Sequence, residues 1–158
     1  MRVCLYTETA LPVVGGQEVA IDALARQFQE LGHDVVVLTL RPRRRQVADD
    51  SLLPYPVVRH RRYLSTRHLL GIYGASLSSV YRQYPFDVLH CHNVYPAGYV
   101  AARWAATRRV PLVITSHACD IAPDSHLLKK PRVPARVAHV LKQASALVAI
   151  SDMVEAQY

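Results

Sequence analysis

The sequence predicts an α/β domain built on a doubly wound parallel sheet of about six strands, and three observations carry that expectation. Short apolar runs rich in β-branched residues recur with little alternation, as in strands covered on both faces. Stretches with apolar residues three and four apart separate them, the period of an amphipathic helix. Two polar clusters, Asp87-Val-Leu-His-Cys-His92 and Val113-Ile-Thr-Ser-His-Ala-Cys-Asp120, lie at the downstream ends of two such runs. Open parallel sheets gather their ligand-binding loops at that end of their strands.

The elements follow in order. Val3 to Tyr6 reads as a buried strand, and an irregular stretch from Thr9 to Gly16 leads into a helix from Gln17 to Leu31. Ile21, Leu24, Ala25, Phe28 and Leu31 form its apolar face. Gly32 suits a left-handed cap. Val35 to Leu40 is the second strand, and Val57 to His60 the third, after Pro54-Tyr-Pro56 excludes a helix. Leu69 to Tyr84 reads as a helix with Leu70, Tyr73, Leu77, Val80, Tyr81 and Tyr84 on one side, ended by Pro85. Val88 to His92, a helix from Pro96 to Arg108, and Leu112 to Thr115 follow. Ala135 to Ala144 is the next helix, Ala146 to Ile150 the sixth strand, and Ser151-Asp152 the N-cap of a last short helix. So short a helix is marginal alone, so it docks or belongs to a larger chain, and the second reading is preferred.

The 158 residues suit one domain, 1–158, and 51% of them are hydrophobic, enough for one core of ordinary size. No apolar run approaches a membrane span and no signal-peptide pattern opens the chain, so a cytoplasmic protein is expected. Cys4, Cys91 and Cys119 sit in or beside strand candidates as small hydrophobes and imply no disulfide framework. The formal charge of +7 favours anionic partners without choosing among them.

Gly15-Gly16 precedes a helix N-terminus, where backbone N–H groups and the macrodipole favour an anion such as phosphate. His90 and His92 share one strand face, and His92, nearer the carboxyl end, is the better candidate for ligand contact. His90 reads as structural. His117 follows a strand, with Asp120 three residues later as an orienting or ligand-binding carboxylate. The spacing of these histidines and cysteines is strand alternation, not that of zinc pairs, and no metal is expected. Arg43 to Arg45 and the cluster of Arg59, Arg61, Arg62 and Arg67 read most simply as solvated surface. Their functional reading is contact of Arg43, Arg44, Arg61 and Arg62 with an anionic membrane or phosphorylated acceptor. No nucleic-acid motif is present. Two competing functions are an NADP-binding reductase domain, suggested by Arg41 but lacking the third fingerprint glycine, and a stand-alone module for a phosphorylated metabolite or anionic lipid.

An ordered set of motifs spans almost the whole chain: Pro12-Val-Val-Gly-Gly-Gln-Glu18, Leu31-Gly-His-Asp-Val-Val-Val37, Phe86-Asp-Val-Leu-His-Cys-His92, Pro111-Leu-Val-Ile-Thr-Ser-His-Ala-Cys-Asp120 and Ala144-Ser-Ala-Leu-Val-Ala-Ile-Ser151. In this order they resemble the N-terminal, Rossmann-like half of the retaining GT-B glycosyltransferases called family 4. The resemblance implies an enzyme whose other half binds most of a nucleotide-sugar donor, while this half binds the hydroxyl acceptor, whether sugar, lipid-linked or other. It implies that Gly15 and Gly16 approach the donor diphosphate, that His117 is the catalytic residue beside the transferred sugar, and that His92 and Asp120 line the acceptor side. It also implies transfer with retention and no required metal or cofactor. The paired glutamates that such enzymes carry in their C-terminal domain have no counterpart here, so the 158 residues alone are expected to be inactive, as a fragment without its donor domain. A peripheral position on the inner membrane face is a further expectation.

Overall fold

The computed structural model describes residues 1–42, 49–61, 69–117 and 120–158. Six strands, β1 (Arg2–Tyr6), β2 (Asp34–Leu40), β3 (Val57–His60), β4 (Val88–Cys91), β5 (Leu112–Ser116) and β6 (Ala146–Ala149), form one sheet in the order β3-β2-β1-β4-β5-β6. Every pairing is parallel. The order reverses between β1 and β4, which makes that pair the topological switch point of a doubly wound sheet.

Alternation along the strands sorts the core into two layers. Val3, Leu5, Val35 and Val37 pack with Ile21 and Ala25 of α1 (Gly16–Glu30) on one face. Cys4, Tyr6, Val36, Leu38, Leu89, Cys91, Leu112 and Ile114 pack on the other face. Their cover comes from α2 (Gly74–Gln83), α3 (Tyr99–Arg108) and α4 (Val133–Gln143), through residues such as Leu77, Val100 and Val140. The final helix, α5 (Asp152–Glu155), docks through Val154, which is buried in this second layer. Ser151 caps it, accepting from the Val154 amide. Cys4 and Cys91 are buried free thiols, while Cys119 lies outside the described residues.

The expected elements are present, with boundaries shifted at three helices. A π-helical turn, Leu69–Tyr73, precedes α2, while the stretch Val94–Gly98 before α3 is kinked, with Tyr95 extended at φ −146° and ψ 138°. The α4 helix begins two residues early at Val133, with Pro134 in its first turn, where the missing N–H costs nothing. Gly32 has φ 79°, as its cap position demands, but Leu31 is 69% exposed and leaves the predicted apolar face. Leu70 is likewise exposed.

Gly98 shows how tightly the β4–α3 connection is folded. A Cβ there would lie 2.5 Å from the Asn93 backbone oxygen and 3.3 Å from Val140 Cγ1. Only glycine lets the chain turn back so closely on itself.

Candidate functional site

The loops leaving β1, β4 and β5 meet at the carboxyl edge of the sheet, above the switch point. The β1 loop supplies Thr7, Glu8 and Thr9 and then runs to the N-terminus of α1. Its far side is held by Arg59 of β3, which donates to the Leu11 carbonyl at 2.5 Å and pairs with Asp50 at 2.6 Å. That arginine side chain is only 10% exposed, so Arg59 is a brace for the loop and not the solvated cation expected from its cluster. Arg61 is exposed. Arg43, Arg44 and Arg62 lie outside the described residues.

At the start of α1, Glu18 turns inward, is buried, and accepts a hydrogen bond from the Thr9 hydroxyl. A Cβ on Gly15 would meet the Glu18 carboxylate at 2.5 Å, so this glycine makes room for that side chain. Gly16 differs. A Cβ there would have nothing within 4 Å, so its backbone borders open space at a helix N-terminus. The orientation suits an approaching anion.

Gln17 crosses the switch point. Its amide donates to Thr7 Oγ1 at 2.9 Å and to Asn93 Oδ1 at 3.3 Å, while Asn93 Nδ2 donates back to Gln17 Oε1 at 3.4 Å. The Glu8 backbone N–H also donates to Asn93 Oδ1, at 3.4 Å. The sequence reading missed this amide pair, because contacts 76 residues apart leave no periodicity or spacing to detect.

Beside it stand three histidine rings. His90, on the α1 side of β4, bonds Thr115 Oγ1 of β5 through Nε2 at 2.8 Å. His92 packs on it with ring centroids 4.3 Å apart, and its Nδ1 lies 3.4 Å from His117 Nε2. The His92 and His117 rings are inclined by 28°. His90 and His92 thus share a face as strand alternation requires, and the loop after β5 brings His117 to the end of their row. His92 is 3% exposed, whereas His117 is half-buried and is the ring of the three nearest the end of the row.

Burial governs the protonation of all three. Desolvation, with His117 nearby, lowers His90 to about 4. Desolvation, then His90 and His117, lowers His92 to about 2. His117 is also lowered by burial, against the opposing pull of Asp120 and Glu18. The row is therefore neutral near pH 7.

Asp120 does not line an open cleft. Its carboxylate is 1% exposed and accepts from the Val94 amide, from the Tyr95 amide at 3.3 Å, and from Ser116 Oγ at 2.8 Å. The expected acceptor contact gives way to a clasp that joins the loop after β5 to the loop after β4. A second tie comes from Tyr158, whose hydroxyl accepts from the Ser116 amide at 3.1 Å and donates to the Val148 carbonyl at 2.8 Å. Among the described residues, no group of three His, Cys, Asp or Glu side chains has the geometry to hold a metal ion. No described helix is long and apolar enough to cross a membrane.

Known proteins resemble this chain in sequence and in fold. The profile of the family described as Glycosyltransferase Family 4 matches residues 14–158. An alpha-monoglucosyldiacylglycerol synthase of Acholeplasma laidlawii is 28% identical over 120 residues, covering 74% of this chain and 30% of that protein. A second protein of that name, from Streptococcus pneumoniae, is 24% identical over 118 residues, covering 74% of this chain and 26% of its own length. The chain therefore spans less than a third of the curated relatives it matches. Among solved structures, the apo form of the lipopolysaccharide outer core galactosyltransferase WaaB superposes with TM-score 0.66 at 16% identity, covering 99% of this chain and 41% of its own. MurG of Acinetobacter baumannii gives 0.64 at 16% identity, covering 96% and 41%. At such identities these two structures establish the fold alone.

Proposed function

The chain belongs to glycosyltransferase family 4, and from that premise we propose that it forms the acceptor-side half of an enzyme that moves a sugar from a nucleotide-sugar donor to a hydroxyl acceptor with retention of configuration. The observation that carries this reading is the convergence of the Gly16 backbone, bordering open space at a helix N-terminus, with the histidine row on one edge of the sheet. In that reading the α1 amides meet the donor diphosphate and His117 hydrogen-bonds the transferred sugar. The bond from the anomeric carbon to the diphosphate breaks, the nucleotide diphosphate departs, and the acceptor hydroxyl attacks on the same face, giving its proton to the departing phosphate oxygen. Charge develops on the departing phosphate oxygen, and amide dipoles aimed at it stabilise the transition state without reorganising. No metal or cofactor takes part.

The acceptor is proposed to be a glycerolipid, a reading supported by the names of the two curated relatives. The basic residues Arg43, Arg44, Arg61 and Arg62 would then hold the enzyme against the inner, anionic membrane face from the cytoplasm. The donor domain is supplied by further chain, and the 158 residues alone are inactive.

The test is transfer from a panel of nucleotide sugars to diacylglycerol in anionic vesicles, using the whole protein. His117→Ala should lower kcat/KM about a hundredfold and Gly16→Val at least about tenfold, with folding unchanged. Wild-type kcat/KM in both variants refutes the site assignment. Turnover by the isolated 158 residues refutes the division of labour.

A further inference from the structure

We infer that His92 is a positioning residue, which fixes the proton of His117 on Nδ1 and so makes His117 a hydrogen-bond donor through that atom rather than a base through Nε2. The inference rests on the placement of His117 beside the transferred sugar proposed above, and replaces the expected acceptor contact of His92.

The argument begins with one shared proton. His92 Nδ1 and His117 Nε2 face each other at 3.4 Å, so one of the two nitrogens donates and the other accepts. A neutral imidazole has a single N–H, so the choice at this contact fixes both rings. If His117 donated from Nε2, His92 would carry its own proton on Nε2. That atom is buried, with no hydrogen-bond partner among the described residues. An orphaned buried N–H is rarer and costlier than an orphaned acceptor lone pair. The proton of His92 therefore sits on Nδ1 and points at His117. His117 must then keep its own proton on Nδ1.

The neighbours hold this arrangement. His90 packs on the His92 ring at 4.3 Å and is itself tied to Thr115, which opposes rotation of the His92 ring. Protonating His117 would set its new Nε2–H against the His92 Nδ1–H. His92 would have to transfer its proton to the partnerless Nε2. The carboxylates of Asp120 and Glu18 act in the opposite sense from across the loops. The Nε2 lone pair of His117 is thus occupied, and the ring offers one neutral donor, suited to a sugar hydroxyl oxygen.

The test needs no variant for its first reading. Long-range 1H–15N correlation spectra of the whole protein, carrying 15N-labelled histidine, distinguish the two neutral tautomers at neutral pH. The Nδ1–H form is expected at both His92 and His117, and the Nε2–H form at His117 overturns the inference. His92→Asn keeps an amide N–H near the Nδ1 position and should leave His117 in the Nδ1–H form, with kcat/KM within about threefold of wild type. His92→Leu removes the donor and should release His117 to the Nε2–H form, with kcat lowered about tenfold and KM for the donor little changed. A His117 tautomer that does not respond to His92→Leu refutes the positioning role. If the tautomers behave as stated while His117→Ala retains full activity, the positioning stands and the functional reading fails.

Discussion

Acidification should unfold this domain through its histidine row, and the structure sets the size of the effect. His92 and His90 titrate at about 2 and about 4 in the folded chain, against an ordinary value near 6.5. Between these values the unfolded chain binds protons that the folded chain refuses, so stability falls as pH falls. Each histidine contributes a slope of roughly 1.4 kcal/mol per pH unit below about pH 6. From about pH 7.5 to about pH 5 the loss is about 2 kcal/mol for each ring and about 4 kcal/mol together. That is a large fraction of the 5–15 kcal/mol typical of a domain. The lowered carboxyls of Asp22 and Asp87 act in the same direction but only below about pH 4, outside this window. Urea unfolding at several pH values measures the slope, read by fluorescence of Trp104, the single tryptophan of these 158 residues and a member of the core layer on the opposite sheet face. His92→Asn should remove about half of it. A stability that is flat between about pH 7 and about pH 5, or an unchanged slope in His92→Asn, refutes the reasoning.

Two further substitutions separate folding from site geometry. Gly98→Ala drives a Cβ into the Asn93 carbonyl, which is backbone and cannot swing aside, so a loss of about 2 kcal/mol or more is expected in denaturant unfolding. Wild-type stability would show that the β4–α3 connection relaxes freely. Asp120→Ala strands the Val94 and Tyr95 amides and the Ser116 hydroxyl, and should cost about 3 kcal/mol, while Asp120→Asn retains an acceptor and costs about 1 kcal/mol. Equal effects of the two would refute the clasp.

The sheet was legible because burial on both faces forces apolar, β-branched runs, and six of them stand out between helical periods. Its parallel, doubly wound character was implied by the β-α-β alternation, whereas the strand order came from the structure. The π-helical turn before α2 and the extended Tyr95 that kinks the chain before α3 were not legible, since neither alters the apolar period enough to show. At the site, local signals located Gly16 at the N-terminus of α1, His92 at the carboxyl end of β4 and His117 after β5. What each side chain does depended on partners far along the chain. Asp120 resembles a ligand carboxylate in sequence, yet the amides that occupy it come from the loop after β4. Arg59 resembles a surface cation, yet a loop carbonyl and Asp50 enclose it. Glu18 resembles a dipole partner, and its burial against Thr9 needed the fold.

The Gln17–Asn93 amide pair also bears on how the domain assembles. Its two members lie 76 residues apart, with β2, β3 and α2 between them in the chain. Closing so long a loop has a conformational cost that a few weak amide bonds cannot meet, so the pair forms only after β1 and β4 have zipped together. The junction between the loops after β1 and β4 is therefore a late product of folding.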